Sequence, residues 1–255
     1  MSGAWATGCS SNGTLPVAVP AGFASFASAA AVSVALALAA PAPQPPVVVV
    51  DPGHDLRANP ATEPIGPGSS VHKVKDGGGT AGEAQVVLAV SLRVRTLLER
   101  AGVRVVLTRT RTAGTSMGNV ARARIANRAG AALFLRVHAD GSSDPSRRGT
   151  HTLHPAWRRG WTDDVYEPSL RGARLIQAEL VRALRLPDAG LDRRSDITGF
   201  NWADVPAILT ELGFLTNVSD RRVLTTMAGQ RRAAVGLCRG VLRFLGRSPD
   251  PCVTR

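Results

Sequence analysis

From Val47 onward the chain alternates short apolar runs with stretches of helical periodicity, and that alternation leaves few folds open. Residues 47–50 are four consecutive valines. A run with no polar alternate suits a strand buried on both faces, the habit of parallel sheets covered by helices. Residues 80–101 read as a helix, with Glu83, Val87, Val90, Val94 and Leu98 on one stripe. A strand is expected at 103–108, a short helix with outward arginines at 119–129, and a third apolar strand at 131–138. Residues 149–154, within the polar stretch 141–165, read as an edge strand. An amphipathic helix follows at 169–186, a short strand at 197–201, the last clear strand at 206–214, and helices at 220–227 and 229–245. Residues 55–79 are rich in Gly and Pro and weakly patterned. They are expected to form a long loop of the functional or mobile kind. The expected class is α/β: a single three-layer αβα domain with a mostly parallel central sheet flanked by helices. Neither an internal repeat nor a second domain is apparent.

Residues 1–46 stand apart, because they contain no Asp, Glu, Lys or Arg. The run A-V-S-V-A-L-A-L-A-A at 31–40 precedes P-A-P-Q-P-P and ends in A-x-A triplets, with Ala37-Leu38-Ala39 as the cleavage candidate. The segment is expected to be an export leader with a Pro/Ala linker, although no Lys or Arg opens it; a retained anchor is the alternative. The catalytic domain is expected at 47–246 and a tail at 247–255. Export implies a periplasmic, wall or extracellular location. The net charge of +12, carried mostly by arginine, implies affinity for polyanions such as anionic wall polymers. Nucleic acid is not expected: no recognised motif is present, and aromatic residues make up 4% of the chain. A monomer is expected. Cys238 and Cys252 can pair, as cysteines of exported proteins do, or remain two buried thiols.

Three residues that suit a metal ion lie at the edges of expected buried elements: His54 in D-P-G-H, Glu83 in T-A-G-E and His138 in V-H-A-D. Two imidazoles and one carboxylate leave a fourth zinc position open, the pattern of a catalytic site. Each has a plainer reading. His54 can be a loop histidine and His138 a hydrogen-bonded core residue. Glu83 fits a capping box with Thr80, reaching back to the first amide of its helix. Glu211 interrupts an otherwise apolar strand, where a carboxylate needs a partner. It is either a general base whose pKa burial raises or half of an ion pair with an arginine. Asp51 and Asp140 can orient an imidazole or cap a turn. Arg194 and Asp196 can hold a charged substrate or pair with each other. His72, His151 and His154 are weaker metal candidates, and W-R-R-G-W at 157–161 can line a groove or pack as a small patch.

With D-P-G-H at 51–54, the helix-opening Glu83, V-H-A-D at 137–140 and T-E-L-G-F-L-T-N at 210–217, the chain resembles the zinc-dependent N-acetylmuramoyl-L-alanine amidases of bacteria. The resemblance implies zinc on His54, Glu83 and His138 and a catalytic carboxylate at Glu211. It implies cleavage of the amide between the lactyl group of N-acetylmuramic acid and the L-alanine of the stem peptide, in peptidoglycan or muropeptide fragments. A zinc peptidase of related fold and a non-catalytic wall-binding relative are the alternatives. Two departures stand out. D-L-R-A-N-P replaces the glycine-rich stretch that often follows D-P-G-H. The segment after H-A-D is short, so control by a helix plug is not expected.

Overall fold

The computed structural model describes residues 44–114 and 117–253, with Gly13, Pro16 and Ala18 before them. The chain divides into two units, Met1–Ala42 and Pro43–Arg255. The expected leader, with its cleavage candidate and Cys9, lies almost wholly outside the described residues. Among the described residues no helix is long and apolar enough to cross a membrane.

The elements run β1 (Val47–Pro52), β2 (Asn59–Pro64), β3 (His72–Asp76), α1 (Glu83–Arg100), β4 (Arg104–Leu107), α2 (Asn119–Arg128), β5 (Leu133–Asp140), β6 (Thr150–Pro155), α3 (Tyr166–Leu184), β7 (Asp188–Arg194), α4 (Thr198–Asn201), β8 (Ala207–Phe214), α5 (Val218–Leu224) and α6 (Met227–Phe244). Six strands form one sheet in the order β4-β1-β5-β8-β6-β7. All neighbours are parallel except β6 and β8. The expected mostly parallel sheet between helical layers is therefore the observed one.

Alternation along the strands assigns the two layers. Val48 and Val50 of β1, and Leu133, Leu135 and Val137 of β5, join a core with α1, α3 and α6. Val49, Phe134, Ala207 and Leu209 face the opposite way, onto α2 and Phe200 of α4. The chain leaves β1 for β4 by way of α1, then crosses back past β1 to β5 by way of α2. Successive crossovers therefore run in opposite directions from β1. That reversal opens a crevice at the carboxyl ends of β1 and β5, the usual ligand position in such sheets.

Four expectations need correction. Residues 55–79 are not a featureless loop: β2 and β3 pair antiparallel as a separate two-stranded sheet. The hairpin is tied down at several points. Glu63 accepts hydrogen bonds from the first amides of α2, Asn119 N (2.6 Å) and Val120 N (3.2 Å), and Trp202 Nε1 donates to Pro64 O at 2.9 Å. Strand β6 is not at the edge, because β7 lies outside it. Strand β7 itself, D-A-G-L-D-R-R, was not expected; its mostly exposed residues carry no apolar pattern. Residues 198–201 form a helical turn rather than a strand. The open alternative at the cysteines is settled: Cys238 and Cys252 are joined, tying α6 to the tail.

Candidate metal centre and active site

The strand period of two puts the polar groups together. On β5 the residues following Phe134 on its face are Arg136, His138 and Asp140; on β8 the residue following Leu209 is Glu211. His138 and Glu211 are register partners across β5 and β8, and His151 of β6 is the partner of Glu211 on its other side. His54 arrives from β1 two residues past its end, in the left-handed region with φ 51°. Glu83 is the first residue of α1.

These positions converge. One ligand-capable atom from each of His54, Glu83 and His138 lies within 4.8 Å of the other two. Glu83 Oε1 is the focus: His138 Nδ1 is 3.1 Å from it, and His54 Nε2 is 3.7 Å away. The two rings stand edge to face with centroids 4.9 Å apart. Two glycines make room. A Cβ at Gly53 would run into the His138 ring. At Gly79, which has φ 65°, it would come within 2.8 Å of both Glu83 Oε2 and the His54 ring.

The two carboxylate oxygens of Glu83 face different ways. Oε2 accepts the Thr80 amide at 2.9 Å, as in half of a capping box, while Oε1 accepts the Ala139 amide at 3.2 Å and faces the imidazoles. The reciprocal Thr80 side-chain cap is missing, since the N-cap is Gly82 and no side chain caps it. Burial by itself would raise the Glu83 carboxyl; the His138 hydrogen bond and the neighbouring imidazoles outweigh it and hold the group below its ordinary pKa.

The protons at His54 test whether these residues suit a cation. Asp76, at the end of β3, places Oδ1 2.6 Å from His54 Nδ1 and also accepts the Gly78 amide. Burial would raise Asp76, but these hydrogen bonds outweigh it, so the group is an ionised acceptor. Nδ1 of His54 therefore carries the proton, and in the neutral ring Nε2 presents a lone pair toward Glu83 Oε1, itself an acceptor. Burial lowers His138 to about 4, which keeps that ring neutral near pH 7. Two acceptors facing each other, His54 Nε2 and Glu83 Oε1, are stable when a cation lies between them. Two nitrogens and one oxygen fit zinc.

Glu211 borders the same cavity of about 300 Å³, with His54, His138 and Asp140. Its Oε2 is buried without a partner, and among the described residues it forms no ion pair with an arginine. Burial, followed by the charges of Glu83 and Asp140, pushes its pKa well above the ordinary carboxylate value, with Arg136 opposing.

The remaining candidates are placed as follows. Asp51 touches neither ligand imidazole by hydrogen bond; it accepts from Thr108 Oγ1 (2.5 Å), Arg122 Nη1 (2.5 Å) and Arg136 Nε (2.9 Å). Asp140 accepts its neighbour's amide at Gly141 and lies 3.9 Å from His151 Nε2. Arg194 and Asp196 pair with each other at 2.7 Å and both border the cavity. His72 is exposed on the hairpin, and His154 bonds to Pro155 O. Trp161 lies under the Arg158 guanidinium, 3.5 Å from its ring centre. Asp76 was not singled out in the sequence. Its only local signal is the D-G-G-G turn that follows it.

Comparison with known proteins points to one family. A family model described as N-acetylmuramoyl-L-alanine amidase matches residues 48–243. The N-acetylmuramoyl-L-alanine amidase Rv3717 of Mycobacterium tuberculosis is 32% identical over 212 residues, covering 78% of this chain and 86% of that protein. The crystal structure of the N-acetylmuramyl-L-alanine amidase Ami1 from Mycobacterium smegmatis superposes with a TM-score of 0.72 at 29% identity, covering 79% of this chain and 97% of that one. Ami1 from Mycobacterium abscessus gives 0.70 at 28% identity, over 78% and 98%.

Proposed function

From the premise that this chain belongs to the N-acetylmuramoyl-L-alanine amidase family, we propose that it hydrolyses, with zinc, the amide between the lactyl group of N-acetylmuramic acid and the L-alanine of the peptidoglycan stem. The observation that carries the zinc reading is the convergence of His54 Nε2 and His138 Nδ1 on one oxygen of Glu83. His54, Glu83 and His138 would hold the ion. When bound, it supplies Lewis acidity, polarising a carbonyl and making water a nucleophile near neutral pH.

The chain's own groups do the rest. Asp76 keeps the proton on His54 Nδ1, so that Nε2 stays available. Glu211, with an unpartnered buried oxygen beside the ligands, takes the proton of the water that attacks the lactyl carbonyl carbon. It then delivers that proton to the alanine nitrogen as the carbon–nitrogen bond breaks. The raised proton affinity of Glu211 suits both transfers. No Ser or Cys nucleophile is required.

Export of the domain belongs to the same reading. The uncharged leader and the Cys238–Cys252 bond, a feature of oxidising compartments, support it.

Mass spectrometry of the products from defined muropeptides, with and without chelator, tests the proposal. Release of a free alanine amino terminus, abolished by chelator and restored by zinc, is expected. Cleavage at another bond, or undiminished turnover in chelator, would refute it. Glu211→Ala is expected to keep its zinc and fold yet lose turnover by several orders of magnitude. His54→Ala is expected to lose the metal, measured by elemental analysis of the purified protein.

A further inference from the structure

Along the site face of β5, Arg136, His138 and Asp140 follow one another at two-residue spacing, so a cation flanks the ligand cluster on one side and an acid on the other. Three basic side chains border the cavity: Lys73, Arg136 and Arg194. Lys73 and Arg194 share one partly exposed carboxylate: Lys73 Nζ lies 2.7 Å from Asp196 Oδ2 and Arg194 Nε 2.7 Å from Asp196 Oδ1, with Asp192 Oδ2 3.5 Å from Arg194 Nη1.

Arg136 is different. It is buried, with Nε on Asp51 Oδ2 (2.9 Å) and Nη2 on Asn119 Oδ1 (2.6 Å). Among the described residues Nη1 has no hydrogen-bond partner. Asp51 is shared, because Arg122 Nη1 takes its other oxygen. One carboxylate thus faces two buried guanidiniums, and one nitrogen of Arg136 is left over beside the cavity. A buried donor without an acceptor is costly. Gly199 helps keep Nη1 open: a Cβ at that position would strike this nitrogen.

We propose that Arg136 Nη1 is the receptor for the first carboxylate of the stem peptide beyond the scissile amide. The inference rests on the amidase reading given above. In a stem whose second residue is linked through its side-chain carboxyl, that residue's α-carboxyl group is either free or amidated. An extended chain covers about 3.3–3.6 Å per residue, so this group lies roughly 6 Å past the alanine nitrogen. The two-residue step from His138 to Arg136 along β5 spans roughly 6.6 Å. The carboxylate therefore comes within reach of Nη1 when the scissile amide lies at the ligand cluster. A carboxylate there completes an ion pair with the guanidinium, whereas a carboxamide oxygen accepts a hydrogen bond from the same cation without bringing an opposing charge. The site thereby selects the free acid.

The test uses the zinc-loaded protein and two muramyl tripeptides that differ only in carboxylate against carboxamide at the second residue. The expected kcat/KM is about tenfold higher for the carboxylate. Arg136→Gln is expected to bring the ratio near one, mainly by slowing the carboxylate substrate. Asn119→Ala, which keeps the Asp51–Arg136 pair, is expected to lower the ratio about threefold, and it serves if Arg136→Gln fails to fold. Equal rates in the wild type, or an unchanged ratio in these variants, would overturn the subsite while leaving the amidase reading intact. Cleavage of neither peptide would overturn both.

Discussion

Asp76 decides which nitrogen of His54 is available, and it does so from outside the main sheet. Outer partners of this kind tune metal affinity by roughly 10–100-fold. Asp76→Asn, measured by chelator competition, is expected to weaken zinc binding within that range; an unchanged affinity would remove Asp76 from the role. Asp51 is a structural counterpart, holding Arg122, Arg136 and Thr108 in a dry cluster. Burial would raise its pKa, but the two arginines outweigh that and hold it far below the ordinary value of 3.8. The folded chain therefore binds this proton less readily than the unfolded chain. The resulting stabilisation is complete above the unfolded value and erodes as the pH falls below about 4. Asp51→Asn leaves two guanidiniums facing a neutral amide, and is expected to cost about 3–5 kcal/mol in urea unfolding at pH 7. The deficit should shrink in acid, where the unfolded wild-type chain takes up a proton at Asp51 that the folded chain still refuses. A constant deficit from pH 7 to 2 would contradict the assignment.

At the level of elements, the strands that carry the site were legible because their apolar runs are long and each is broken by one costly group. Glu211 within β8 stood out by burial logic, whereas His138 near the end of β5 needed His54 at a neighbouring strand edge to stand apart from a core histidine. The same logic could not find β7, whose D-A-G-L-D-R-R has no buried face, nor α4, a single turn enclosed by its neighbours. The hairpin of β2 and β3 escaped for a related reason. It is held by long-range bonds from Glu63 and Trp202, and local periodicity is blind to those. Asp76 was hidden with it. Family-motif residues outside the chemistry have structural duties: Asn217 caps α5, accepting from Ser219 N and Asp220 N. The disulfide is likewise an element-scale device, closing 14 residues between α6 and the tail. By loop entropy, Cys252→Ser is expected to lower stability by about 3 kcal/mol without altering zinc content. Loss of zinc on reduction would instead show that the tail supports the site.

Across the whole chain, charge is distributed as unevenly as structure. Residues 1–46 have no charged side chain, so the entire +12 belongs to the remainder. Buried arginines such as Arg109, Arg122 and Arg136 are engaged by backbone carbonyls and Asp51, but many others are exposed along α2, α3 and α6. On the proposed function, a long anionic wall polymer would meet this surface charge over many contacts, whereas a single muropeptide would meet only the cavity. Screening separates the two. The Debye length shrinks from about 10 Å at 0.1 M salt to about 3 Å at 1 M, which weakens exposed contacts far more than a buried pair such as Asp51 with Arg136. Co-sedimentation with purified wall carrying anionic polymer is therefore expected to fall steeply between these salt concentrations. KM for a soluble muropeptide should change by only a few fold over the same range. Equal salt sensitivity of both would mean that the cavity, rather than the arginine-rich exterior, dominates attraction to the wall.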